Sequence, residues 1–561
     1  MFSPMKVIDE MKSPTFCIHV ERLTKLSIID DPLAVSGDLL AHPLNKEVKS
    51  SQIFDKIATW IYDCDMKHQL CRHLRQSGDH PFNQNEPPPL PSRVLDLCLS
   101  DGSEDIRLIE SSGSCGLYAA LSHCWGTAPL ITTLRGTVTA RLDRIEFLDL
   151  SRTFQDAATI AREMKLRYLW IDSLCIIQDD SSDWERESAR MGDIYRNAFI
   201  TIAAAGARDG SEGCFIPRLE PILEPVCFQQ TSSKGEEGSM WIGLYPGDFI
   251  SSVTSGPLNA RGWVLQERVL ASRTVHFAKE QVFWECDQLT ISEDGRAMFH
   301  YDSLRHILSP LPSLHLQYLA RNQSPSQFLY DQWYSLVENY TSRKLTKLDD
   351  IFPALSGVVS EVTKLISDEY IAGLWKSCLH VGLLWQSKGV NWGGLPRPTV
   401  KRAPSWSWAA VDGPISYLSS SRIRHTKVNF SAITIHDAYC AIFGQNPYGQ
   451  INKSFIKLTG LLKEAILDDG DQPEIPGFEI QFPKGHLVGT GYLDAEAGPK
   501  ENIFVLKISK SSEKSEPGLF WFVLLLKQVE EGSDCYERVG MGKLTEFNWF
   551  DDSLDKTITL I

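Results

Sequence analysis

Three short apolar runs decide the fold: LYAALSHC at residues 117–124, RYLWIDSLCII at 167–177 and FITIAAA at 199–205. Each is nearly continuous in apolar residues, as expected of a strand that is buried on both faces. A predicted helix over residues 153–164 separates the first two runs, and another helix starting at Ser182 separates the second from the third. Strands that alternate with helices of this length predict a parallel sheet with right-handed crossovers. We therefore predict an α/β fold with a three-strand kernel.

The rest of the chain divides into segments of different character. In chain order we predict a poorly ordered lead-in (1–50), an N-terminal helix with a proline-rich connector (51–100), the α/β kernel (101–295, with its core at 115–290), a helical region that includes 370–375 (296–420) and a β-rich region (421–561). Within the kernel segment, Leu258–Leu270 predicts a helix, whereas Thr274–Ala278 and Val282–Cys286 predict a hairpin.

Composition excludes several classes of protein. Hydrophobic residues make up 43% and charged residues 23% of the 561 residues, which is the balance of an ordinary folded chain. The formal net charge of −15 argues against a nucleic-acid partner, since coating nucleic acid requires a broad cationic face. The apolar run Leu519–Leu526 is too short to cross a bilayer, so we expect no transmembrane segment. Thirteen cysteines without a secretory signal favour reduced thiols and a cytoplasmic location.

Polar residues gather where the first two predicted strands end. Ser122, His123, Trp125 and Gly126 end or follow the first strand, and Asp172 lies near the end of the second. Ligands of open parallel sheets bind outside the carboxyl ends of the strands, so these residues are candidates for a binding site. A buried Asp172 needs partners, and the sequence leaves open whether it bonds to a helix N-terminus or orients a ligand hydroxyl.

Two further charged residues are candidates for this site. Glu187 lies near the edge of the apolar stripe of the helix that starts at Ser182, in a position to look into the strand-end crevice. The alternative for Glu187, which the residues alone favour, is a solvated or capping glutamate. Arg261 is a candidate for binding an anion, although such an arginine more often fixes an ion pair between domains.

A separate cluster is typical of a soft-metal site. Cys64, His68 and Cys71 are spaced four and three residues apart, which places them on one face of the helix predicted over 53–74. Structural zinc requires a fourth ligand, and the sequence does not identify one. The candidates by residue type alone are His73, Cys98, His123 and Cys124. The alternative is a helix face that packs small thiols into the core.

The common catalytic signatures are missing from the sequence. It contains no Gly-x-Gly-x-x-Gly, no phosphate-binding Gly-Lys-Ser/Thr loop, no His-Glu-x-x-His and no Gly-x-Ser-x-Gly. No cofactor is therefore certain, and any activity has to be argued from geometry.

Five segments nevertheless follow one another in a characteristic order: YAALSHCWG at 118–126, TFQDA at 153–157, RYLWIDSLCIIQD at 167–179, GCF at 213–215 and LNARGWVLQE at 258–267. Together they resemble the fungal heterokaryon-incompatibility (HET) domain proteins. The resemblance implies an effector of self/non-self recognition whose domain triggers programmed cell death. It also implies a protein partner in incompatibility signalling, or self-association.

The resemblance carries an expectation about chemistry as well. HET domains have been likened to TIR domains, which are flavodoxin-like α/β units that hydrolyse NAD in some lineages, so it implies a flavodoxin-like (TIR-like) kernel and NAD as a candidate substrate. TIR enzymes place a catalytic glutamate shortly after a tryptophan. Trp184 and Glu187 are similar, but they are separated by three residues rather than the usual four. In this reading Glu187 is the catalytic carboxylate and Asp172 orients it or holds the ribose.

Three functions stay open at this point. The first is a cell-death effector with a TIR-like site for NAD or another nucleotide, at which Ser122, His123, Trp125, Gly126 and Arg261 bind the ligand. The second is a non-catalytic signalling module that acts by self-association. The third is an enzyme of specialised metabolism that uses the same scaffold on a small molecule.

Overall fold

The protein is described by a computed structural model. The residues described are 23–27, 30–71, 87–127, 129–218, 225–299, 325–389, 394–417, 431–468, 478–481, 486–495, 502–510 and 520–561. Parts of the predicted lead-in (1–22) and of the proline-rich connector (83–86), as well as His73, lie outside them. Among the described residues, no helix combines the length and apolarity that crossing a membrane would require.

The α-helices within these residues are α1 Pro32–Val35, α2 Ser51–Met66, α3 Val138–Asp143, α4 Arg152–Glu163, α5 Asp172–Cys175, α6 Ser181–Ser188, α7 Met191–Asn197, α8 Val264–Leu270, α9 Pro325–Thr341, α10 Ser356–Ile366 and α11 Leu379–Gly382. The strands up to the helical region are β1 Leu23–Leu26, β2 Arg93–Asp96, β3 Arg107–Glu110, β4 Tyr118–Ser122, β5 Tyr168–Trp170, β6 Ile200–Ala203, β7 Val226–Thr231, β8 Glu237–Leu244, β9 Arg273–Phe277, β10 Val282–Cys286, β11 Leu289–Ser292 and β12 Ala297–Phe299. The remaining strands are β13 Tyr370–Ile371, β14 Leu374–Trp375, β15 Trp385–Ser387, β16 Ile415–Tyr417, β17 Ile433–Ile442, β18 Ile451–Asp468, β19 Phe478–Gln481, β20 Leu487–Leu493, β21 Ile503–Lys510, β22 Trp521–Gln528, β23 Cys535–Leu544 and β24 Asp555–Leu560.

A nine-stranded sheet forms the centre of the α/β part, in the order β12-β11-β10-β9-β6-β4-β5-β2-β3. The three predicted strands β4, β5 and β6 lie side by side and run parallel, and β9 extends the parallel part. The sheet as a whole is mixed rather than parallel, which corrects the prediction. Strands β9 to β12 are joined by turns too short for the crossover that parallel pairing requires, and they add antiparallel pairs at one edge. The antiparallel pair of β2 and β3 forms the other edge.

Two predicted elements of the kernel are shorter than their apolar runs. The run at 167–177 forms a strand only over Tyr168–Trp170, and the chain then turns into α5, where the Ser173 N–H donates to the Asp172 carboxylate at 2.7 Å. The helix predicted from Ser182 begins at Ser181, is capped by Asp180 and is interrupted after Ser188, so that α6 and α7 are separate helices.

The predicted helical region (296–420) contains the helices α9, α10 and α11 among its described residues, but also the short strands β13 to β16. Residues 370–375 form the hairpin β13–β14 instead of a helix. The two residues between its strands, Ala372 and Gly373, have positive φ angles of 45° and 96°. Two consecutive positive φ angles are the geometry of a tight hairpin turn, and this turn overrides the helical spacing of the flanking apolar residues.

The C-terminal region is β-rich, as predicted. Strands β17 to β23 form one antiparallel sheet, and the long strand β18 pairs with β19 as well as with β21, so the sheet curls back on itself. Its apolar faces pack partly against the helical region, within one continuous hydrophobic core.

One buried arginine joins this sheet to the helical region. Arg538 of β23 is fully buried and makes two hydrogen bonds of 2.9 Å to the Asp494 carboxylate. It also donates to the carbonyl oxygens of Leu383 and Trp385, and its guanidinium lies 3.6 Å from the centroid of the Trp385 ring. Every face of the cation is thus occupied, so its removal leaves a buried carboxylate and two buried carbonyls without partners.

We expect Arg538→Met to destabilise the protein by about 3–5 kcal/mol, because the Asp494 carboxylate then stays buried without a counter-charge. The double variant Arg538→Met with Asp494→Leu should recover a large part of this loss, since it removes both charges. Denaturant unfolding of the three proteins measures their free energies of unfolding. An Arg538→Met variant as stable as the wild type would contradict a stabilising role for the buried Arg538–Asp494 pair.

Candidate functional site

Side chains from three parts of the chain meet at the carboxyl edge of the parallel strands. Ser122 is the last residue of β4, Asp172 follows β5 at the start of α5, and Glu267 lies on α8. The Ser122 hydroxyl donates a hydrogen bond of 2.5 Å to the Glu267 carboxylate. Both residues are buried, with 3% of each exposed.

The pKa of the Glu267 carboxyl is strongly altered at this edge. Burial raises its pKa from the ordinary 4.5 to about 7, although the positive charge of Arg261 and the hydrogen bond from Ser122 act in the opposite direction. The negative charge of Asp172 adds to the rise, whereas an interaction with the Tyr195 hydroxyl opposes it. Glu267 therefore exchanges a proton close to neutral pH, as a general acid or base requires.

Arg261 supplies the positive charge of the site. Its guanidinium donates to the backbone carbonyl of His123, and it forms no ion pair with any residue that the structure describes. Arg261 is half-buried, and its guanidinium makes no other hydrogen bond to a residue that the structure describes. A guanidinium with free donors beside the ends of parallel strands suits a carboxylate or phosphate ligand.

Asp172 makes the bond to a helix N-terminus that the sequence left open, and its orienting of a ligand hydroxyl stays a prediction. Its carboxylate accepts a hydrogen bond from the Ser173 N–H at the start of α5, and it accepts a second one of 2.8 Å from Trp125 Nε1. His123 Nδ1 lies 3.8 Å from the same carboxylate, too far for a hydrogen bond. Burial lowers the pKa of His123 to about 4, so the imidazole is neutral at pH 7.

Gly126 is required where the chain leaves β4. It has a φ of +62°, and a Cβ atom built there would lie 2.2 Å from the Cβ of Asp209. Only glycine allows this close approach of two loops at the strand ends.

Glu187 lies elsewhere, in an ionic cluster formed largely by residues of α6 itself. It is buried, and its Oε1 atom is 3.3 Å from Arg186 Nε. Arg186 also pairs with Asp183, which in turn pairs with Arg93. No hydrogen bond or ion pair joins Glu187 to Asp172 within the described ranges, so a site shared by these two carboxylates stays a prediction.

A small cavity lies beside the Ser122–Glu267 pair. Its volume is about 10 Å³, enough for about one water molecule. Ser122 lines it, together with three buried oxygen atoms that have no hydrogen-bond partner among the described residues: Thr201 Oγ1, Asn259 Oδ1 and Thr274 Oγ1. Because buried polar atoms are normally hydrogen-bonded, these three atoms mark a position for water next to Ser122.

Comparison with known families identifies this part of the chain. Residues 118–267 match the family model of the heterokaryon incompatibility protein (HET). The chain is a heterokaryon incompatibility domain-containing protein. No curated protein and no solved structure matches it significantly. The matched range begins with β4 and ends at Glu267, so the HET domain contains the whole polar edge, and it associates the protein with heterokaryon incompatibility.

A larger open cavity, of about 450 Å³, lies at the side of the HET domain. Trp184 of α6 and Gln450, which precedes β18, line it with residues from the loops at 347–349 and 398–400. None of the candidate site residues named above lines it.

The three predicted metal ligands do come together. Cys64, His68 and Cys71 lie beside Cys286, and the ligand atoms of all four residues are within 4.8 Å of one another. Of the four residues proposed by type, Cys98 is exposed, whereas His123 and Cys124 belong to the strand-end site. His73 lies outside the described residues.

Glu267 is the site residue that the sequence prediction missed. The segment LNARGWVLQE at 258–267 contributes to the family resemblance and Arg261 is a candidate for anion binding, but Glu267 is assigned no role from the sequence. The sequence spacing nevertheless indicates that Glu267 is buried. Val264, Glu267 and Leu270 are three residues apart on α8, so the glutamate shares a helix face with two apolar residues. A carboxylate on the buried face of a helix is a candidate for altered chemistry.

The pKa of Glu267 predicts how stability depends on pH. Because the folded-state pKa is raised from 4.5 to about 7, the protonated carboxyl favours the folded state below pH 4.5, and this contribution is lost as the pH rises through 7. Relative to Glu267→Gln, which stays neutral, the wild type should lose about 3 kcal/mol of unfolding free energy between about pH 4.5 and 8. Denaturant unfolding at several pH values measures the difference, and a constant difference would contradict a buried, titrating Glu267.

Proposed function

We propose that this protein is a fungal effector of heterokaryon incompatibility that triggers programmed cell death by hydrolysing NAD or a related nucleotide. The observation that carries the proposal is Glu267, a buried carboxyl with a pKa of about 7, hydrogen-bonded by Ser122 and close to the unpaired charge of Arg261. An acid–base group, a position for water and an anion-binding arginine are the parts that hydrolysis of a phosphorylated glycoside requires.

The order of the parallel strands supports a flavodoxin-like arrangement. Along the sheet they lie in the order β5-β4-β6-β9, so the first strand in the chain lies between the second and the third. Sheets with this order bind ligands at the carboxyl ends of the first and third strands, where the direction of winding reverses. Ser122 of β4 is paired in register with Ala203 of β6 at that point, and both residues line the small cavity.

The proposed reaction breaks the bond between the nicotinamide nitrogen and C1′ of the ribose. The bonding electron pair leaves with the nitrogen, so nicotinamide departs neutral, and the sugar passes through an oxocarbenium-like state. Water adds to C1′ and gives a proton to ionised Glu267, so the products are nicotinamide, ADP-ribose and a proton. Arg261 binds the diphosphate, and Asp172 holds a ribose hydroxyl.

Glu267 is a better candidate for the base than Glu187. The ion pair with Arg186 already neutralises Glu187, whereas Glu267 is hydrogen-bonded by Ser122, which lines the small cavity. The spacing from Trp184, one residue shorter than in TIR enzymes, is consistent with a structural role for Glu187. A comparison of the two glutamates therefore separates the proposed site from the one implied by the family resemblance.

One observation favours a non-catalytic module that acts by self-association. Strand β7 forms the edge of a three-stranded sheet, and all six of its residues are exposed. Val226 and Phe228 are more than two-fifths exposed and lie on the same face of the strand. An exposed edge strand with apolar side chains can pair with a second chain.

We expect expression of the wild type in a fungal host to deplete NAD and to kill the cells. Glu267→Gln should lower the rate of NAD loss at least about 100-fold, because it removes the general base and keeps the size of the side chain. Glu187→Gln is the matched control, since it removes a buried carboxylate from a structural ion pair, and it should still deplete NAD. NAD content, viability and protein level are measured for all three chains.

The other outcomes identify the alternatives. Loss of activity in Glu187→Gln but not in Glu267→Gln would overturn the proposed site in favour of the spacing from Trp184. Death with NAD intact in all three cultures would overturn NAD hydrolysis and favour self-association. In that case Phe228→Ser, on the edge of β7, should abolish the killing.

A further inference from the structure

We propose that Cys64, His68, Cys71 and Cys286 bind one zinc ion, which fastens α2 to the edge of the central sheet. Three thiols and one imidazole meet at a single point, and their ligand atoms all lie within 4.8 Å of one another. Soft sulfur ligands with one imidazole are the donor set of structural zinc sites.

The distances fit a tetrahedral ion. Zinc lies about 2.3 Å from sulfur and about 2.0–2.1 Å from nitrogen, so sulfur and nitrogen ligands end about 3.5 Å apart. Cys286 Sγ is 3.3 Å from His68 Nδ1. Closing the longest separation of 4.8 Å to a tetrahedral edge requires side-chain shifts on the order of 1 Å.

The chain assembles the cluster from distant parts. Cys64 lies in the last turn of α2, His68 and Cys71 follow the end of that helix, and Cys286 ends β10. His68 and Cys286 are 218 residues apart in the sequence. The alternative, packing of small thiols into the core, does not explain the position of His68. Its half-exposed imidazole directs Nδ1 at the buried sulfur of Cys286.

Neighbouring contacts hold the two halves of the site in position without the ion. Asp65 pairs with Arg273 of β9, and the Leu70 N–H donates a hydrogen bond of 3.1 Å to Gln288 Oε1, just beyond β10. The Trp60 and Trp284 rings pack with their centroids 6.4 Å apart. A framework that is already in place lowers the cost of ordering ligands around a metal.

The ion would also brace the strand-end site from the far side of β10. Glu285 precedes Cys286, so its side chain points to the opposite face of the strand. There it makes two hydrogen bonds of 3.0 Å with Arg268, the neighbour of Glu267 on α8. Metal binding at Cys286 therefore fixes the position of the adjacent Glu285. Through Arg268, Glu285 holds α8, the helix that carries Glu267.

The test is the metal content of the full chain, purified under reducing conditions without chelator. We expect about one zinc per chain by elemental analysis. After exchange with Co²⁺, the protein should show thiolate-to-cobalt charge transfer in the near ultraviolet and the intense visible bands of a tetrahedral ion. This readout does not depend on NAD hydrolysis, so the metal site and the proposed function can fail separately.

Variants identify the ligands. Cys286→Ser should reduce the zinc content to near zero, whereas Cys214→Ser, which alters a buried cysteine outside the cluster, should leave it unchanged. His68→Cys supplies a fourth sulfur at a half-exposed position, so it should keep the metal but change the cobalt spectrum. His68→Ala should bind more weakly than His68→Cys while keeping the fold.

Three results would overturn the proposal. The first is a chain without metal after addition of Zn²⁺ to the reduced protein. The second is zinc that survives Cys286→Ser at full content. The third is a disulfide between two of the cluster cysteines in freshly prepared protein, which would make the cluster a covalent crosslink instead.

Discussion

The strand-end site depends on one constraint, the burial of the Glu267 carboxyl at the edge of the parallel strands. A carboxyl in such a place either stays protonated or needs donors and a counter-charge. Ser122 provides the donor, and Arg261 provides the charge without pairing with the carboxylate directly. The result is a carboxyl balanced between its two protonation states near neutral pH, whose hydrogen-bond donor Ser122 lines a cavity with room for about one water molecule.

The rest of the chain holds this edge in place. The segment that carries Arg261 is fastened to the helical region by two backbone hydrogen bonds of 2.7 Å between residues 260–262 and Lys344. Helix α7 meets α10 so closely that a Cβ on Gly192 would lie 2.8 Å from the Gly357 Cα. Arg538 then joins the helical region to the C-terminal sheet. The HET domain is therefore packed within the larger chain rather than attached to it by a linker.

The sequence predicted what depends on local patterns. Apolar runs located the kernel strands and the β9–β10 hairpin, and strand ends located Ser122, Asp172 and their neighbours. The prediction from sequence was wrong or incomplete where contacts between distant residues determine the structure. Antiparallel strands at both edges make the sheet mixed, and residues 370–375 form a hairpin around Ala372-Gly373 instead of a helix. Cys286, the fourth member of the cysteine–histidine cluster, lies 218 residues from His68 in the chain. Glu267 was missed because its burial depends on how α8 lies across the sheet, although its spacing on the helix hinted at it.

The central claim is that this edge binds an anionic nucleotide through Arg261 before Glu267 acts on it. Isothermal titration calorimetry of the full chain with ADP-ribose tests binding without turnover. The account predicts that the wild type and Glu267→Gln bind with similar affinity, whereas Arg261→Gln binds at least about tenfold more weakly, as expected for loss of a charge-assisted contact. Absence of binding to the wild type, or equal affinity in Arg261→Gln, would contradict it.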